Sequence, residues 1–149
     1  MAQNRPRGPS GKERAFFMSM KVLIADSDWR FALQAGRYLE SHAHLVVCEN
    51  DPRGAWERIR AWQPDLVVLA AEMAERGLMN QINTLANRPA VLLTEYMDRY
   101  DRAWRAWQTG GDELLMKPVF KTEEFHQAVV IALENAATGS VVRPVAASA

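Results

Sequence analysis

The chain has 149 residues, 48% of them apolar, and 18 basic side chains balance 18 acidic ones. That length suits one domain with its own core, and the even charge argues against a nucleic-acid or anionic-membrane surface. A single cysteine, Cys48, excludes an internal disulfide, and no apolar run reaches the roughly 18–20 residues of a membrane span.

Residues 1–19, rich in Gly, Pro, Arg and Gln, read as a disordered tail, and 138–149 as a second one, leaving a folded domain over 20–137. The domain opens with a buried strand, Lys21-Val-Leu-Ile-Ala25, that ends at Asp26-Ser27-Asp28. Helical spacing of Phe31, Leu33, Ala35, Tyr38 and Leu39 predicts a helix over Trp29–His42, with Ser27 or Asp28 as its cap. A strand is expected over His44–Cys48, with Cys48 buried and inert. Asp51-Pro52 opens a second helix that Pro64-Asp65 stops. Leu66-Val-Val-Leu-Ala70 is apolar on both faces, as a central parallel strand should be. A weaker helical pattern lies between Met73 and Asn87, starting near Leu78, before a strand over Pro89–Thr94. A short helix over Tyr100–Gln108 ends at Gly110-Gly111, and a fifth strand covers Glu113–Met116. The last helix is expected over Glu123–Asn135 with Thr122 as N-cap. Strands alternating with helices predict an α/β, flavodoxin-like, doubly wound five-stranded parallel sheet with helices on both faces.

Ligands in such sheets bind at the carboxyl ends of the strands. Those ends carry Asp26, Ser27 and Asp28, then Ala70 and Glu72, then Thr94-Glu95, then Lys117-Pro118. Taken with Val22-Leu-Ile-Ala-Asp26, Asn50-Asp-Pro-Arg-Gly-Ala-Trp56, Pro64-Asp-Leu-Val-Val-Leu69, Leu92-Leu-Thr94 and Gly110-Gly-Asp-Glu-Leu-Leu-Met-Lys117-Pro118, this order resembles the response-regulator receiver family over about Lys21–Ala136. The resemblance implies a site with a carboxylate nucleophile, an acidic pair holding Mg²⁺, a hydroxyl, a lysine and a cis-proline.

Three positions match: Asp26, Thr94 and Lys117. Four depart. Ser27 stands at the second acidic position, and Ala70 at the phosphoryl acceptor, where a methyl group can neither attack phosphorus nor ligate a metal. Glu95 stands where a small residue keeps the site open, and Leu114 where the family carries a switch aromatic. The expectation is a pseudo-receiver: no enzyme, no cofactor, no metal, but a phosphorylation-independent signalling and protein-interaction module in the cytoplasm. Lys117 and Asp26 are expected to pair and tie the first strand to the fifth.

Two alternatives stay open. The chain could be a working receiver phosphorylated at a non-standard carboxylate, with Glu72 as substitute against its plainer reading as a solvated loop acid. It could also be a small-ligand-binding domain that uses the strand-end pocket. His42, His44 and His126 show no metal-ligand spacing. Tyr100, Trp104 and Trp107 share a flank of the fourth predicted helix, while Ala103 and Ala106 suit contact with the sheet. The aromatics are either partly buried against the fifth strand and last helix or anchors of a homodimer or partner interface on the face those elements form. Arg102 and Arg105, interleaved with the tryptophans, read as a solvated basic face.

Overall fold

The computed structural model describes residues 18–139 and 141. The two predicted tails lie outside the described residues apart from 18–19, 138–139 and 141. Five strands, β1 (Lys21–Ala25), β2 (Leu45–Glu49), β3 (Leu66–Ala70), β4 (Ala90–Tyr96) and β5 (Glu113–Lys117), form one parallel sheet in the order β2-β1-β3-β4-β5. Chain order reverses between β1 and β3, so the crevice at their carboxyl ends is where this architecture places its ligands.

Every residue of β3 is buried, because the strand is central and covered on both faces. Alternation along the strands sorts the apolar side chains into two cores. Val22, Ile24, Leu66, Val68 and Leu92 pack with Phe31, Leu39, Phe125 and Val129 on one side. Leu23, Val67, Leu69, Val91 and Leu93 pack with Ile59, Leu78, Met79 and Ile82 on the other. The first side is covered by α1 (Trp29–Ser41) and α5 (Thr122–Thr138). The second is covered by α2 (Pro52–Trp62), by a helical segment over 71–83, designated α3, and by α4 (Tyr100–Thr109).

Local chemistry sets the helix ends. The Asp28 carboxylate accepts from the Phe31 amide at 3.3 Å and caps α1. Asp51 caps α2 through the Gly54 amide at 2.9 Å, with Pro52 in the first turn and Gln63 left-handed at the end. The Lys117–Pro118 peptide is cis.

Three local expectations need correction. Cys48 is exposed, because β2 is an edge strand and its apolar run is covered on fewer sides than the same pattern in β1 or β3. Partial desolvation, then Glu40 and Glu49, still push its thiol pKa up, away from the reactive thiolate. Thr122 is the first residue of α5 rather than its cap; Lys121 holds the cap position with no side-chain bond. Helical structure after β3 begins at Ala71, not near Leu78, and is kinked at Arg76-Gly77, where the backbone leaves the helical region and Gly77 takes φ +102°.

Candidate functional site

The carboxyl ends of β1, β3, β4 and β5 bring Asp26, Ala70, Thr94 and Lys117 to one edge of the sheet. Ala70 and Thr94 are register partners, and both are buried. The Lys117 ammonium donates to Asp26 Oδ2 at 2.9 Å, and the two side chains are only 4% and 3% exposed. This is the pairing expected from the sequence, and it joins strands that are not neighbours in the sheet. Asp28, one of the strand-end acids singled out in the sequence, lies 3.7 Å from the same ammonium and supplies a second carboxylate while it also caps α1.

Aromatic faces complete the enclosure. The Phe31 and Tyr96 rings each sit 4.6 Å from the Lys117 ammonium, so the cation is held between two carboxylates and two π faces. Tyr96 spans the site and donates its hydroxyl to Asp28 Oδ2. That bond, then partial burial, then Asp28, Asp26 and Glu95 push the Tyr96 pKa up to about 12. Burial opposes the charge of Asp28, but the Tyr96 hydroxyl, the Phe31 amide, Lys117 and the Arg30 amide outweigh it and hold its pKa low. Asp26 also accepts the Asp28 amide at 2.9 Å, which shapes the β1–α1 turn.

Tyr96 was missed because the fourth strand was expected to end at Thr94, whereas β4 continues for two more residues. The signal was present: Tyr96 is two residues beyond Thr94, and period-two alternation puts both on one face.

Of the altered positions, Ser27 is exposed and Leu114 is half-buried against the second core. Glu95 does not project over the site. It leaves β4 on the opposite face, where its buried carboxylate lies 3.5 Å from Arg102 of α4. Glu72 sits in the first turn after β3, half exposed and 4.0 Å from Arg102, so the sequence expectation of a loop acid is corrected to a helical one. Arg105 meets Glu75 at 2.7 Å and Asp101 at 3.2 Å. The two arginines read as a solvated basic face are therefore ion-paired. Ala103 and Ala106 are fully buried against the sheet side, Trp107 is half-buried on the second core, and Tyr100 and Trp104 are 61% and 37% exposed. Among the described residues, no group of three or more His, Cys, Asp or Glu could hold a metal ion, and no helix is long and apolar enough to cross a membrane.

Sheet order, strand-end residues and the Lys117 placement together define the receiver fold of response regulators. A receiver-domain protein from Clostridium thermocellum superposes with TM-score 0.68 at 18% identity, covering 81% of this chain and 98% of that one. NtrX from Brucella abortus gives 0.72 at 20% identity over 82% of this chain and 28% of its own. In sequence, the chain is 28% identical over 137 residues to a Chromobacterium violaceum protein-glutamate methylesterase/protein-glutamine glutaminase, covering 85% of this chain but 38% of that relative. No family model matches.

Proposed function

We propose that this chain is a pseudo-receiver: a cytoplasmic signalling module that meets a second copy or another protein through α4, β5 and α5 without phosphotransfer. The carrying observation is the Lys117 enclosure at the same strand-end edge that holds Ala70. The lysine that would meet a phosphoryl group already neutralises Asp26 and lies under Tyr96, and the acceptor position has no electron pair to offer. Asp28, the nearest acid to Ser27, already uses one oxygen to accept the Tyr96 hydroxyl and the other to cap α1. The module would need no metal and no cofactor, and would perform no catalysis. In the methylesterase relative, the matched portion is 38% of the length; an output domain joined to this chain is compatible with such a role.

Tyr100 and Trp104 are the interface anchors of this reading, being aromatic, exposed and carried on a helix pinned by Ala103 and Ala106. Trp107 backs them from the core side. Sedimentation of the full chain should show self-association that the double variant Tyr100→Ala, Trp104→Ala weakens about thirtyfold, the effect of losing roughly 2 kcal/mol of anchor contact. Acetyl phosphate with Mg²⁺ should leave the association constant unchanged. A monomer–dimer balance indifferent to the double substitution, or one driven by the phosphodonor, would count against the proposal.

A further inference from the structure

The connection from β4 to α4 is weakly built by backbone alone. It consists of a single 3₁₀ turn, Met97–Arg99, with no buried residue. Helix α4 starts at Tyr100 with no side-chain bond from its cap residue, Arg99. Ala103 and Ala106 bury the middle of the helix, but the first turn has no comparable anchor.

Side chains on either side of the strand end supply it. Glu95 and Tyr96 are consecutive, so they leave β4 on opposite faces. Glu95 turns toward α4. Its Oε1 accepts the Tyr96 amide at 2.8 Å, and its Oε2 lies 3.5 Å from Arg102 Nη1. The same guanidinium reaches Glu72 in the turn after β3, and Arg105 repeats the tie one turn on with Glu75. Tyr96 turns the other way, over Lys117 and onto Asp28 of the β1–α1 turn. Its high pKa keeps the hydroxyl a donor throughout the neutral range.

We infer that Glu95 and Tyr96 form a two-sided latch that holds the start of α4 in one position. The latch joins four places, the ends of β1, β3 and β4 and the first turns of α4, through side chains rather than through a bound phosphoryl group. Its consequence for Tyr100 and Trp104, a surface presented in constant orientation, rests on the function proposed above; the latch itself does not.

Hydrogen exchange of the full chain tests it. The reporters are the amides of Trp104 to Trp107, whose intrahelical acceptors lie in the first turn of α4. Glu95→Gln removes charge at nearly constant shape, and Arg102→Gln removes the guanidinium. Tyr96→Phe keeps the ring over Lys117 and removes only the bond to Asp28. Each variant should speed exchange at the reporters tenfold or more while β1 and β3 amides keep the parent rates. Reporter rates within twofold of the parent in all three variants would overturn the latch. So would equal acceleration of the reporters and the sheet, since these residues would then serve global stability only. An intact latch beside a dispensable Tyr100–Trp104 surface in sedimentation would sink the interface alone.

Discussion

Replacing Lys117 with Met should destabilise the domain by about 3–5 kcal/mol, the cost of leaving one member of a buried ion pair uncompensated. The ammonium is the shared partner of Asp26 at 2.9 Å and Asp28 at 3.7 Å, and it lies between the rings of Phe31 and Tyr96. Methionine fills similar volume but leaves the buried Asp26 carboxylate against apolar surroundings. The urea midpoint should fall by roughly 2 M at the slopes usual for small domains. The compensating variant Asp26→Asn, Lys117→Met should recover much of that loss, because a neutral amide is far cheaper to bury than a lone charge. If Lys117→Met leaves the midpoint in place, the pair contributes nothing to holding β1 and β5 together.

Gly111→Ala should cost about 2–5 kcal/mol, combining left-handed backbone strain of about 1–2 with overpacking of about 1–3. Gly111 has φ +98°, and a Cβ built on it would lie 2.8 Å from Leu93 Cδ1 and 2.9 Å from Leu93 Cγ. Leu93 is completely buried and has no room to retreat. Gly77 is the matched control: its φ is +102°, but an added Cβ meets nothing within 4 Å. Gly77→Ala should therefore show only the strain. Thermal melts should separate the two, with a drop on the order of 10 °C or more for Gly111→Ala and well under that for Gly77→Ala. Equal drops would mean that Leu93 yields and the α4–β5 turn is less tightly packed than its distances indicate.

The sheet was legible because its central strands carry uninterrupted β-branched and leucine runs, and Leu66–Ala70 could hardly be anything but a strand covered on both faces. The Lys117–Asp26 pair was legible for a similar reason: two charged residues closing apolar strands at one edge have few partners but each other. Cys48 shows where this kind of reading fails. An apolar run looks the same in an edge strand as in a central one, and only strand order distinguishes them. Glu95 was identified as a departure, but its direction was not available, since face depends on where β4 ends. With the strand carried through Tyr96, Glu95 faces α4 and the tyrosine, not the glutamate, closes the site. Arg105 stays solvated, but the ion pairs of Arg102 and Arg105 were not legible, because Glu72, Glu75 and Glu95 are brought alongside by the fold and by nothing in the local pattern.

Phosphorylation independence rests on the strand-end edge, which carries Ala70 at the acceptor position and a lysine already neutralised and covered. Intact-mass measurement after incubation with acetyl phosphate and Mg²⁺ tests that most directly. A single species at the mass of the unmodified chain is expected. A stable species heavier by one phosphoryl group would contradict phosphorylation independence, and its loss on Glu72→Gln would identify a working receiver with a displaced acceptor.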